Sequence, residues 1–380
     1  MNAPRTDRPR SVGPNWFAAV MGTGIVATAG ATLPVHVAGL HGFIQAVWVV
    51  AALLLAGLIL VTVRHRVVQP DQVRSHGQDA GMAQFYGAPP MALLTVGAGA
   101  LLVGKDLIGL RAAVDLDWVL WTVGTLAGLA SAVIIPFRLF TRIEVRPDAA
   151  SGSWLMPVAA ETMGGTTGAL LVPHLAGATA RATLLYGCYA MFGMSLLASF
   201  IIITLIWSRL ALHGSSGTTR VPTLWIVLGP LGQSITAAGL LGANAHLAVV
   251  GPIARGLAVF ATVFGVPVWG FALLWAALAA GLTVRTIRRR LPFALTWWSF
   301  TFPVGTMVTG TTRLALQTGL PAFRWAAVVG YAALLGAWVT VAVRTALGAT
   351  RGDLLSAPAT LPVLPTAVKE GYAPTVPAAW

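Results

Sequence analysis

Apolar residues run along this chain in blocks of about twenty, separated by short polar or charged stretches. A block of that length crosses the hydrocarbon of a bilayer as one α-helix. Such blocks cover residues 15–33, 38–63, 81–103, 117–140, 154–175, 182–208, 222–243, 255–283, 292–316 and 323–345. They are of two alternating kinds. Every odd-numbered block has a proline near its start and glycines seven to ten positions later: Pro14 with Gly22 and Gly24, Pro89 with Gly97 and Gly99, Pro157 with Gly164 and Gly165, Pro230 with Gly239, and Pro303 with Gly310. The even-numbered blocks lack that signature. The alternation predicts an all-α polytopic membrane protein of ten helices, arranged as five tandem hairpins with one irregular and one smooth helix in each. Proline removes an intrahelical hydrogen bond and bends a helix, so kinks are expected at the five prolines. Backbone groups freed in hydrocarbon survive only where protein covers them or where they line a wet cavity. Five such helices point to a central pathway for a polar solute.

Composition supports this reading. The 380 residues are 57% hydrophobic and 9% charged, whereas a soluble domain carries about 25% charged residues. The net charge of +13 invites a nucleic-acid partner, but the basic residues form no basic module. They lie between the apolar blocks, with a strong side-to-side bias. Arg5, Arg8, Arg10, Arg64, Arg66, Arg74, Arg138, Arg142, Arg146, Arg209, Arg220, Arg285, Arg288, Arg289, Arg290, Arg344, Arg351 and Lys369 fall on one side. Lys105, Arg111, Arg181, Arg255, Arg313 and Arg324 fall on the other. Loops rich in Lys and Arg stay cytoplasmic. The split predicts cytoplasmic termini and an even number of crossings; the expected location is a bacterial cytoplasmic membrane. The arginines before the first block also fit a signal peptide; the glycines in that block and the many blocks after it favour an uncleaved first helix. Residues 1–14 read as a cytoplasmic segment, 15–345 as the transport domain, and 346–380, rich in Pro, Ala and Thr, as a disordered tail. The single cysteine, Cys188, excludes an intramolecular disulfide and a cysteine metal site.

Ionisable groups inside a membrane are functional candidates. Glu161, four residues after Pro157, is the one carboxylate placed deep in a block. It reads either as a proton or substrate-coupling site, or as a neutral, hydrogen-bonded side chain at a helix contact. Arg313, near the outer end of the ninth block, reads either as an electropositive funnel or as a side chain reaching the interface. Polar uncharged residues follow the irregular helices: Thr23, Thr28, Thr95, Thr162, Thr166, Thr167, Gln233, Ser234, Ser299, Thr301, Thr306 and Thr309. Hydroxyls offer donors to a partly dehydrated anion without a trapping charge. They are equally at home in contacts between membrane helices. The seven histidines form no metal spacing, and no cofactor is expected. No zinc-protease motif, aspartate pair, Walker loop or serine with a credible base is present, which argues against a membrane-embedded enzyme.

Five motifs carry a resemblance. They are Asn15-Trp16-Phe17 with Met21-Gly22-Thr23-Gly24, Gln84-Phe85-Tyr86-Gly87-Ala88-Pro89-Pro90, Trp154-Leu155-Met156-Pro157-Val158, Leu228-Gly229-Pro230-Leu231-Gly232-Gln233-Ser234, and Trp297-Trp298-Ser299-Phe300-Thr301-Phe302-Pro303. Together they resemble the tellurite-resistance/dicarboxylate transporter family of tellurite-resistance proteins, malate and sulfite carriers and plant slow anion channels. The resemblance covers residues 15 to about 345. It implies a trimer with one pathway per subunit, lined by the odd-numbered helices. It also implies a phenylalanine gate on the ninth helix, at the position of Phe302. The expected activity is transport of small anions, C4-dicarboxylates such as malate first, with proton coupling through Glu161. An anion channel or an exporter of sulfite or tellurite is the alternative.

Overall fold

The computed structural model describes residues 12–351, apart from 69, 71–76, 78, 143–144, 147, 215–217 and 289–290, together with residue 354. Arg5, Arg8, Arg10, Arg74, Arg289, Arg290 and Lys369 lie outside the described residues, as do nearly all of the expected tail and most of the N-terminal segment. Among the described residues the only regular secondary structure is helical. The principal helices are α1 (Phe17–Thr32), α2 (Leu40–Val68), α3 (Ala88–Gly99), α4 (Leu110–Thr141), α5 (Met156–Leu171), α6 (Ala178–His213), α7 (Leu228–Asn244), α8 (Gly251–Ile287), α9 (Phe302–Thr318) and α10 (Pro321–Arg351). Seven helical stretches are long and apolar enough to cross a membrane. The stretches containing α1, α5 and α9 are not among them; those helices have only 16 or 17 residues each.

The helices form two layers. α1, α3, α5, α7 and α9 close a ring in which each touches the next and α9 returns to α1. Each of the other five packs on the inner helix just before it in sequence and on the next inner helix around the ring. Burial separates the layers sharply. The most apolar window of 220–247, on the inner layer, is 94% buried, and that of the outer α8 is 22% buried. The outer surfaces of α2, α4, α6, α8 and α10 expose Leu, Val, Ile and Phe, as a lipid-facing wall requires. Polar groups of the outer helices bond inward. The indole N–H of Trp48 donates to the Val96 carbonyl at 3.1 Å, and that of Trp121 to Gly164 at 2.8 Å. Ser195 donates to Val158 at 2.6 Å, Trp275 to Leu224 at 2.8 Å, and Trp338 to the Thr23 hydroxyl at 3.2 Å.

The prolines do not kink the inner helices. Each inner helix is preceded by a tighter 3₁₀ stretch: Pro14–Trp16, Phe85–Gly87, Gly152–Leu155, Thr218–Val227 and Leu295–Phe300. Pro14 opens the first of these, and Pro89, Pro157, Pro230 and Pro303 stand in the first turn of their α-helices. A first-turn N–H has no intrahelical acceptor, so proline removes nothing there. Among the described residues, the prolines beyond the first turn of an α-helix are Pro136 and Pro267, in the outer α4 and α8, which the sequence pattern treats as smooth.

The glycines act as contact points between inner helices. A Cβ on Gly232 would lie 2.5–2.6 Å from the Thr306 and Met307 backbone, and one on Gly310 would lie 2.8 Å from the Gly232 carbonyl. Gly87 meets the Met156 backbone in the same way. Outer helices outrun their expected spans. α4 begins at Leu110 rather than 117, and α10 runs to Arg351, past the expected boundary at 345.

Candidate functional site

The five inner helices converge on one constriction. Its lining comprises Ala18 and Met21 of α1, Phe85 of the 3₁₀ stretch before α3 and Met91 of α3, Met156 and Ala159 of α5, Gly229 and Pro230 of α7, and Phe302 and Pro303 of α9. Ile226, Leu295, Trp298 and Ser299 complete it from the 3₁₀ stretches. Every inner helix contributes and no outer helix does. The space it leaves for water is about 30 Å³, room for one or two waters and too little for a hydrated anion. Ser299 supplies the only side-chain hydroxyl of this lining. Phe302 is 4% exposed and stands at the first position of α9. The helix start, rather than a bend, sets its ring at the constriction.

The helical repeat places Thr306, Thr309 and Arg313 on the same face of α9 as Phe302. The face leans on α7. Thr306 donates to the carbonyls of Pro303 at 2.7 Å and Leu228 at 3.1 Å. The hydroxyls of Thr309 and Thr236 are 2.8 Å apart. The methylenes of Arg313 lie along Gly239, where a Cβ would come within 3.0–3.3 Å of them. Within α1, α3, α5, α7 and α9, Arg313 is the one basic residue and Glu161 the one acidic residue. Arg313 is half-buried and forms no ion pair with a described carboxylate.

Other sequence candidates lie in seams between helices. Thr23 receives Trp338 from α10. Thr95 donates to Met91 at 2.7 Å and turns its methyl toward Gly24 of α1. Ser234 donates to Leu231 at 2.7 Å. The Gln233 amide meets the Met163 sulfur between α7 and α5, and its carbonyl oxygen is buried without a hydrogen-bond partner. Glu161 is fully buried but points to α4, where it abuts Gly128. Neither of its oxygens has a hydrogen-bond partner, nor does the nearby Thr125 hydroxyl.

Sequence reasoning missed Asp117. Placed at the edge of a span, it is instead two turns inside α4, fully buried against Gly97, with both oxygens unpartnered. The available signal was Gly109, a residue suited to the positive φ of 84° from which the helix starts, eight positions before Asp117.

Comparison with known proteins agrees with this architecture. The model of the voltage-dependent anion channel family (SLAC1) matches residues 11–346. This chain belongs to that family. It is a multi-pass membrane protein of a family of anion channels and transporters, in agreement with the resemblance drawn from the motifs. The chain is 26% identical over 317 residues to the sulfite efflux pump SSU1 of Trichophyton rubrum, covering 82% of this chain and 83% of that protein. It is 26% identical over 297 residues to the uncharacterized transporter MJ0576 of Methanocaldococcus jannaschii, covering 78% and 81%. These relatives are fungal and archaeal, so they do not assign a bacterial host.

Proposed function

We propose that this chain passes small oxyanions along the axis of the inner ring, with sulfite as the first substrate. The observation that carries the reading is an apolar constriction at Phe302 joined, on one face of α9, to the lone cation Arg313. Apolar rings stop ions by excluding water. A half-buried guanidinium without a described carboxylate partner attracts anions and repels cations. Eleven residues separate the two, about 16 Å of helix rise, so an anion drawn to Arg313 is held clear of the narrow point. The sulfite efflux relatives favour sulfite over malate, which becomes the competing substrate. In this reading ten helices cross the membrane as five hairpins, both termini are cytoplasmic, three copies assemble with one pathway each, and the protein is not an enzyme. An inside-negative potential favours anion exit by about 2.3 kcal/mol per charge per 100 mV, which makes an uncoupled protein an exporter.

The test is flux of labelled sulfite and malate in proteoliposomes. Arg313→Gln is expected to lower sulfite flux at least about tenfold, with Arg313→Lys largely retaining it. Equal flux in all three proteins, or cation flux matching anion flux, would reject the reading. Glu161 plays a packing role in this account, because its carboxylate faces α4 and lines no part of the constriction. Glu161→Gln is expected to leave flux and its pH profile unchanged. If the variant transports but loses pH dependence, Glu161 is the coupling group after all.

A further inference from the structure

A second cavity lies outside the ring. Its volume is about 850 Å³, and it sits between the ends of α2 and α4 and the starts of α1 and α3. Two features of its lining stand in contrast. Part of the lining is basic, with Arg66 and His65 from α2 and Arg138 and Arg142 from the end of α4, and no acidic residue lines the cavity among the described residues. None of the three arginines forms an ion pair with a described carboxylate. Another part is apolar, formed by Phe17, Pro89, Pro90, Ala127, Ile134 and Ile135. That part continues onto the outer surface of α4, where Val133, Ile134 and Phe137 are exposed.

Three guanidinium groups around one cavity repel one another and call for an anion. The charge alone would suit phosphate in any form. The size and the apolar part of the lining narrow the choice. The cavity is far larger than a phosphate group and is of the size that takes whole organic ligands. Its apolar side runs out to the lipid-facing surface of α4, and Pro136 interrupts the helix at this level. A proline there leaves the carbonyl one turn earlier without its usual amide and bends the helix. We propose that this cavity binds an anionic phospholipid, with the phosphate held by Arg66, Arg138 and Arg142 and an acyl chain laid against Ile134 and Ile135. Basic pockets between membrane helices are suited to such headgroups. The site shares no lining residue with the central constriction, so it stands whether or not sulfite is the transported anion.

The experiment uses the whole purified protein in detergent with a fluorescent phosphatidylglycerol as probe. Binding is expected to fall roughly tenfold or more in Arg138→Gln/Arg142→Gln, and by a smaller factor in Arg66→Gln on the facing helix. Arg285→Gln/Arg288→Gln removes the same charge from exposed positions at the end of α8 and is expected to bind as the parent does. Fluorescent phosphatidylcholine is expected to bind weakly, and glycerol phosphate to compete poorly. Equal losses in the two double variants would mean diffuse attraction and overturn the site. Full competition by glycerol phosphate would make it a phosphate site without a chain, and would overturn the lipid. Exclusion of the probe because a second copy of the chain fills the cavity, seen as restored binding on dissociation of the oligomer, would overturn it as well.

Discussion

Phe302→Ala is expected to raise anion current several-fold in a planar bilayer, with the protein still well expressed. The ring lines a space of about 30 Å³ to which all five inner helices contribute. An ion passing such a point must shed its water, and the idealised cost of taking a carboxylate-sized ion into low dielectric is on the order of 20 kcal/mol. The barrier need not be a tight seal; exclusion of water is enough. Removing the ring opens room for water on the axis, and the hydration cost falls. Phe302→Leu keeps much of the bulk and is expected to give a smaller increase. A ring that only packs between helices predicts the reverse: about 3–5 kcal/mol of lost stability, poor expression and no new current.

Gly232→Ala is expected to cost about 1–3 kcal/mol, read as a lower melting temperature in detergent and reduced yield. The added methyl would meet backbone atoms of Thr306 and Met307 at 2.5–2.6 Å. Backbone cannot rotate aside as a side chain can, so α7 and α9 must separate. Gly229→Ala, one turn earlier, is the contrast, because a Cβ there meets nothing within 4 Å. Alanine also restricts the unfolded chain, so that variant is expected to be neutral or more stable by about 0.4–1 kcal/mol. Equal melting temperatures for the two variants would show that the α7–α9 seam yields to an added methyl.

The two layers were legible because chemistry differs between them. Runs such as 251–287 are apolar all round, while the inner runs interleave Gly, Thr and Pro, and the proline–glycine signature marks all five inner helices. The same prolines misled on detail. In sequence a proline within an apolar block reads as a kink, and only the hydrogen-bond pattern reveals that a 3₁₀ stretch ends just before it. Phe302 was placed at the constriction by its motif, and its position at the start of α9 supplies the physical reason. The threonines were harder. Thr23 and Thr306 have hydrogen-bond partners on a neighbouring helix, Thr95 bonds back to Met91 of its own helix, and no spacing rule says which way a hydroxyl will turn. Which neighbour Asp117 and Glu161 face depends on how α4 packs beside α3 and α5, and the sequence does not give that packing.

The backbone contacts at Gly87, Gly232 and Gly310 bear on speed. A bundle that rocks one half against the other would have to part and remake these seams in every cycle, on the microsecond-to-millisecond scale of helix movements. A phenylalanine turning about its own side-chain torsions disturbs none of them and moves in picoseconds to nanoseconds when space allows. In the proposed reading the helix ring is a rigid frame around a single shutter. Throughput would then be set by how long the shutter stays aside, and one opening would pass many ions.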